Sequence, residues 1–527
     1  MRERESRDER RRIAIEPADA AALLRFAQAS LDRGDGDRAS TWLGAAVALS
    51  PSSPQLAAPL RRLGQAYFAA GWLARAALML RRATIAEAQD WQSWNDLAAI
   101  EDRRISPQGA LRPARIAVVL APGAATALGN LADLLFRTGA HAEALRVALR
   151  VADDVGATIS GNSALRLGQV DRADALFRRA LCQAPSSAPA LIGLGVARMT
   201  DERIADAGRW LHRAQAIAPA LVDVNNNLAT WHLLQGDLHR GFDLYEWRWR
   251  RPEAPPRRQG LPEWQGEDLG GRRLLLYQEQ GLGDVLQMVR YVPLLIEKGA
   301  HVTIQCQASL HRLLRSLAGS PRLIGEEEAA EAELQAPLMS LPRLLRTELD
   351  SIPAPRAYLA AETALVDSLA PLFAGKARRI GLVWQGNPRQ VDEPHRSIPL
   401  ATLAPLLALP GATFYGLQRD HGRDQLKDVP AGSVIDLGPK LDDLATTAAI
   451  LMHLDLVVTT CTAMAHLAGA LGRPVWILLK RGADWRWMLD RSDSPWYPTA
   501  RLFRQRRPGD WHGVAMQLAE TARAWMR

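Results

Sequence analysis

The chain has 527 residues, 48% hydrophobic and 23% charged, with a formal net charge of +8; at ~100 to 200 residues per domain, two to four domains are expected. No apolar run approaches the ~18 residues that a membrane-spanning helix needs, so no transmembrane segment is expected. Cys182, Cys306 and Cys461 are widely spaced and fit neither a disulfide framework nor a zinc site, which predicts a cytoplasmic, metal-free protein, and arginines scattered among acids along the whole length argue against nucleic acid as a partner.

Residues 1–19 open with MRERESRDERRR, six arginines among four acids without the apolar core of a signal peptide, and read as a charged, solvated tail. Residues 20–250 are rich in Ala and Leu at helical spacing, with breaks every dozen or so residues, which predicts an array of helical hairpins. The clearest copy carries Gly193, Gly195, a turn at Thr200–Arg203, then Ala207, Leu211 and Ala214, and lies between Pro185 and Pro219, 34 residues apart. That period and the small residues at the helix crossing resemble the tetratricopeptide repeat. Pro122 and Pro185 are 63 residues apart, short of two periods, so one repeat is expected to be degraded. Stacked hairpins leave a concave groove that either holds a peptide or protein client or packs on the next domain. Asn225 and Asn226, beside Asn227, are candidates to hold an extended client backbone, with a helix cap as the alternative.

The run Tyr245-Glu246-Trp247-Arg248-Trp249-Arg250 followed by Pro252, Pro255 and Pro256 marks a boundary, with residues 251–271 as linker; its tryptophans either anchor a domain seam or stack on a sugar. Residues 272–360 then open a parallel-sheet pattern. Leu274–Tyr277 is an apolar strand that breaks at Gln278-Glu279-Gln280-Gly281-Leu282-Gly283-Asp284 and resumes as a helix. The glycine spacing is not that of a dinucleotide-binding turn or a P-loop. A carboxylate at the carboxyl end of such a strand either takes a proton from an attacking hydroxyl or caps the helix, and Asp284 is that carboxylate; Gln280, Gly281, Gly283 and Gln287 line the same loop.

Trp264 with Gly266, Glu279–Asp284 and Arg290-Tyr291-Val292-Pro293 resemble the opening of heptosyltransferase-like glycosyltransferases fused to tetratricopeptide repeats. The resemblance implies that Asp284 is the acceptor-side catalytic aspartate.

In residues 361–527, apolar runs at Arg379–Trp384, Ala412–Leu417, Ser433–Leu437, Asp455–Val458 and Val475–Leu479 alternate with helical segments, which predicts a second parallel sheet. The turn Thr459–His466 joins a strand to a helix and either offers backbone N–H groups and a helix dipole to a diphosphate or is a capped helix. Gly381–Pro388, Arg396-Ser397-Ile398, Leu417-Gln418, Ala465–Gly472, Asp484–Trp487 and Ser494–Pro498 resemble, in order, the donor-binding half of the same family. By that resemblance the loop with Trp384, Gly386 and Asn387, together with Arg396 and Ser397, approaches the donor phosphates, Thr462, Ala465 and His466 bind them at the helix start, and Gln418 touches the nucleotide base or sugar. His466 alternatively sits within the core, and Arg486 is either a donor ligand or one half of an ion pair. Many relatives have aspartate where this chain has Cys461.

The fold class expected is therefore α plus α/β: an N-terminal tetratricopeptide-like α-solenoid followed by a GT-B module of two Rossmann-like domains. The resemblance implies a metal-independent glycosyltransferase with no bound cofactor, using a nucleotide sugar as donor substrate. Its expected acceptor is Ser or Thr of a bacterial protein such as flagellin, recruited by the repeats. The alternatives are transfer to lipopolysaccharide or another glycan, and an inactive transferase serving as a protein-binding scaffold.

Overall fold

The computed structural model describes residues 19–251, 254, 260–388, 390 and 393–527. The charged tail, residues 1–18, and Pro252, Pro255 and Pro256 lie outside the described residues. The chain divides into two compact units, one ending at Gly193 and the other running from Leu194 to Arg527.

In the first unit, helical hairpins follow one another from Ala20. Their leading helices start at residues 57, 91 and 125, and again at 154, 188 and 222 where the series continues into the second unit, so the 34-residue period holds within each set and shortens to 29 between them. The missing residues come from one helix: His141–Ala148 has 8 residues where its counterparts Leu73–Ala86 and Val170–Gln183 have 14. This is the degraded repeat, and the structure assigns the shortfall to its second helix.

Small residues let neighbouring helices approach. Phe177 is fully buried, and its ring fills space that a Cβ on Gly161 or Gly193 would need, at 2.6 Å in the case of Gly161. One aromatic side chain thus locks into notches on the leading helix of its own hairpin and on that of the next, a burial that stabilises the stack by about 2–3 kcal/mol. Polar side chains repeat the same spacing. Gln65 donates to Asp96 at 2.6 Å, Asn130 to Asn95 at 2.9 Å and Arg137 to Asp102 at 2.6 Å, so that leading helices are bridged one period apart. Asp19, Asp35, Asp90 and Asp153 cap helix starts by accepting from backbone N–H groups, the role short acidic side chains favour.

The second unit contains the helices Ile204–Ile217, Val222–Leu234 and Leu238–Tyr245 and the turn Glu246–Arg250. They are held to the α/β residues by specific contacts. Arg481 donates to the Asp201 carbonyl at 2.8 Å and pairs with Glu202, and the Gly482 N–H reaches the Glu202 carboxylate. Val222–Leu234 packs on the Trp485–Trp487 turn.

Two parallel sheets follow. The first contains β1 (Arg273–Tyr277), β2 (His301–Gln305), β3 (Arg322–Ile324) and β4 (Leu334–Pro337) in the order β3-β2-β1-β4. The second contains β5 (Arg378–Val383), β6 (Ala412–Gly416), β7 (Val434–Asp436), β8 (Leu456–Thr460), β9 (Val475–Leu479) and β10 (Ala500–Arg504) in the order β10-β9-β8-β5-β6-β7. Every pairing is parallel. Apolar runs such as Leu274–Tyr277 and Val475–Leu479 are buried throughout, as strands covered on both faces must be. Ile380, Leu382, Val458, Leu478 and Phe503 form the core of the second sheet with the helix Trp511–Met526. Strand order reverses between β1 and β4 in one sheet and between β5 and β8 in the other. Open parallel sheets bind ligands at the carboxyl ends of strands that flank such a reversal. Among the described residues no helix is long and apolar enough to cross a membrane.

Candidate functional site

The loops that leave β1, β5 and β8 carry most of the residues singled out from the sequence. After β1 the chain turns through Gln278–Gly281 into the helix Leu282–Met288. Asp284 makes the cap that one of its two readings expects. Its Oδ2 accepts the Gly281 N–H at 2.8 Å, closing the start of the helix, while Oδ1 accepts from Arg486 at 2.6 Å. The side chain keeps 23% of its surface open, so the carboxylate is positioned without being sealed. Burial lifts its pKa above the usual carboxylate range; Arg486 opposes that rise and Asp484 adds to it. A raised pKa makes a carboxylate a better proton acceptor near neutral pH.

Arg486 is fully engaged. Its Nε donates to Gln287 Oε1 at 2.6 Å, one terminal nitrogen serves Asp484 at 3.0 Å and the other Asp284, and the guanidinium lies 4.3 Å from the Trp485 ring centroid. Two carboxylates already balance its charge, so its role is to orient Asp284 and Gln287, in place of the expected contact with donor phosphates. Gln287 is completely buried.

The Leu282–Met288 helix packs against the helix Ala463–Ala470 that follows β8. Their approach is close: a Cβ on Gly283 would stand 2.9 Å from His466 Cδ2. His466 is buried in that seam, with Nδ1 2.8 Å from the Tyr497 hydroxyl and its ring stacked on Trp487. Burial, followed by Arg486 and Arg290, holds the imidazole well below its usual pKa. A buried imidazole held at the Tyr497 hydroxyl and stacked on Trp487 fits the packing alternative given for His466. Ala465 is buried beside it.

At the other side of the reversal, Arg396 lies over Gly386, where an added Cβ would come within 2.7 Å of its guanidinium. Ser397 Oγ accepts the Gly386 N–H at 3.2 Å, Asn387 is exposed and Arg396 is partly open. The Nε of Arg396 is buried and finds no hydrogen-bond partner among the described residues. Thr462 caps the helix Ala463–Ala470 by accepting from Met464 N–H and is partly open. Cys461 sits between these groups: Trp487 Nε1 approaches its sulfur at 3.0 Å, and burial, with Asp484 adding to the effect, pushes its thiol up to about 11 while Arg396 and Arg486 pull it down. The thiol is therefore un-ionised at neutral pH.

Three expected contacts are reassigned. Gln418 accepts from the N–H groups of Trp384 and Gln385 and donates to the carbonyls of Gln385 and His421; its carboxamide is saturated by the loop it braces, leaving nothing for a nucleotide. Trp384 is fully buried with Nε1 donating to the Gly422 carbonyl at 2.9 Å. Asn225 is buried, donates to the carbonyls of Pro219 and Leu221 and accepts from Gln215, so its carboxamide joins two successive hairpins and is engaged within the chain. Asn226 is also buried, with its Nδ2 lacking a partner among the described residues.

The structure adds residues to which the sequence assigned no role. Arg290, enclosed within an apolar stretch, donates to the carbonyls of Gln287 and Trp496 and to the Tyr358 hydroxyl, joining the segment after β1 to Ser494–Pro498. Glu279 lies on the β1 turn with its side chain buried. It accepts from Arg248 at 2.8 and 3.2 Å, and Gln280 pairs with the Tyr245 hydroxyl at 2.9 Å. A charged pair enclosed among aromatics was the available signal, since Arg248 stands in the aromatic run that precedes the prolines.

Comparison with known proteins identifies the helical part. A model of the tetratricopeptide repeat family matches residues 160–221. Over 326 residues the chain is 26% identical to Protein FlbA of Caulobacter vibrioides, an alignment that covers 56% of this chain and 54% of that protein; the chain thus spans about half the length of this curated relative. Among solved structures, a tetratricopeptide repeat protein from Parabacteroides merdae is 16% identical with a TM-score of 0.36, covering 43% of this chain and 91% of that one. YrrB, described as a TPR protein with an unusual peptide-binding site, is 20% identical with a TM-score of 0.27, covering 41% and 94%. The chain carries tetratricopeptide-like helical repeats, matched by that family's model over residues 160–221, followed by a parallel-sheet α/β region.

Proposed function

We propose that the protein is a glycosyltransferase of the GT-B type that moves a sugar from a nucleotide-sugar donor to a hydroxyl acceptor. The observation that carries this reading is the placement of three strand-end loops: the β1 turn presents a partly open Asp284, and the β5 and β8 loops bring Arg396 and Thr462 to a strand-order reversal. Both ends of a group transfer are then provided for. Asp284 takes the proton of the acceptor hydroxyl as its oxygen forms a bond to the anomeric carbon of the sugar. The bond from that carbon to the nucleotide diphosphate breaks, and the departing negative charge is met by Arg396 and by the Thr462-capped helix start. Arg486 and Gln287 keep Asp284 in place.

A repeat array ahead of such a site favours a protein acceptor, so the client is read as Ser or Thr of a bacterial protein of the flagellin kind, recruited by the repeats. Asp284→Asn in the full-length chain removes the base while keeping the side chain's shape and one of its two accepted hydrogen bonds. Turnover of the donor is expected to fall by ~10²–10⁴-fold with the folded far-ultraviolet spectrum retained; activity unchanged by this substitution would refute the base assignment. Intact mass spectrometry of candidate acceptors from cells with and without the protein identifies the acceptor. A sugar-sized mass difference on a protein supports the client reading, and a difference confined to lipopolysaccharide overturns it in favour of glycan transfer.

A further inference from the structure

The reversal between β1 and β4 is where the first sheet would be expected to hold a ligand, yet it is filled from within the chain. Arg248, on the turn that ends the last hairpin, donates to Glu279 beyond β1, to Ser340 beyond β4 at 2.9 Å and to Glu246 at 2.7 Å. Ser340 in turn donates to Glu246 at 2.7 Å. Tyr245 holds the neighbouring Gln280 carboxamide through its hydroxyl, donating at 3.2 Å and accepting at 2.9 Å. Phe242 and Tyr245 also pack edge-on against Trp485, the neighbour of Arg486. The end of the repeat array therefore grips the β1 turn at two successive residues and touches the loop that orients Asp284.

We propose that Arg248 and Tyr245 are positioning residues of the transferase site: the last turn of the repeat array occupies the strand-order reversal of the first sheet and fixes the 278–284 turn that presents Asp284. This rests on the glycosyltransferase reading for its catalytic consequence, while its structural claim stands independently. These charge-assisted and hydroxyl bonds converge on a site where Glu279 and Ser340 are buried and Arg248 is nearly so, and such bonds are stronger where water has less access. Residues up to Arg250 are consequently not a detachable recruiting arm, and a chain cut at residue 250 would lose part of its own site.

The test uses full-length Arg248→Gln, Arg248→Lys and Tyr245→Phe. Hydrogen–deuterium exchange of the peptide spanning residues 278–284 is compared with that of the β5–Gly386 loop as an internal control. The expected result is exchange ~10-fold or more faster in the 278–284 peptide of Arg248→Gln, a smaller increase in Tyr245→Phe, partial rescue by Arg248→Lys and an unchanged control loop. Donor turnover should fall through kcat with the donor KM within about twofold. Equal protection of the 278–284 peptide in wild type and all three variants overturns the proposal, as does loosening of both peptides alike. Because exchange needs no turnover, inactivity of the wild-type chain towards nucleotide sugars defeats the transferase reading alone and leaves the positioning claim to be decided by exchange.

Discussion

The two strand-order reversals in the second unit have opposite contents. At β1/β4 the space is closed by Arg248, Glu246, Glu279 and Ser340, joined to one another by hydrogen bonds, while Glu279 Oε2 is buried without a partner among the described residues. At β5/β8 the loops keep Arg396 with an unpartnered Nε among the described residues, an exposed Asn387 and a partly open Thr462. The same topological feature thus forms a structural socket once, and we propose that it receives a ligand the other time. What distinguishes them is the state of the guanidinium: Arg248 is paired with the carboxylates of Glu246 and Glu279, whereas Arg396 keeps a buried Nε without a partner among the described residues. Asp284 lies between these regimes, held on one side by the socket's turn and by Arg486, and left open on the other.

That contrast is most severely broken by separating the two glycine-turn helices. Gly283→Ala places a methyl 2.9 Å from His466 Cδ2, in a seam whose rings are stacked and cannot yield freely, and is expected to cost about 1–3 kcal/mol. Denaturant unfolding measures it; a variant as stable as wild type would mean that the helices do not pack as described. A smaller effect is expected from Glu279. Burial raises its carboxyl from the ordinary 4.5 to about 7, against the pull of Arg248 and with Glu246 and Asp284 adding to the rise. The folded state therefore retains a proton that the unfolded chain releases, so this group's contribution to stability is present below about 4.5 and is lost as pH rises through about 7. Glu279→Gln should remove that fall, seen as a difference in melting temperature between variant and wild type that changes in favour of the variant from pH 5 to pH 8. A difference that is constant with pH would contradict the burial of an ionisable group there.

Much of this was legible along the chain because it is periodic. Pro185 and Pro219 mark one repeat, and the shortfall between Pro122 and Pro185 announced the shortened helix His141–Ala148. Strands β5 to β9 stood out as apolar runs between helices. By contrast β10, with arginines at both ends, and β3, only three residues long, offer too little pattern to read. The unit division at Gly193 and Leu194 also lies well before the proline-rich boundary, because contacts such as Arg481 to Asp201 join residues 280 apart and leave no local trace. The same limit applied to side chains. Gln418 reads as a ligand contact because it is a carboxamide at a strand end, while its four partners are backbone groups placed by loop geometry. Arg248 stood out only by its place in the aromatic run, since its partners Glu279 and Ser340 lie 31 and 92 residues away.

The central claim, that one reversal receives the donor and the other is an internal socket, is tested most directly by calorimetric titration of nucleoside diphosphates into full-length wild type, Arg396→Ala and Arg248→Gln. The account predicts that a diphosphate which binds wild type is weakened ~10-fold or more by Arg396→Ala, the loss of a charge-assisted phosphate contact, and by no more than about twofold by Arg248→Gln. Binding that survives Arg396→Ala unchanged, or that is lost on Arg248→Gln instead, would contradict it.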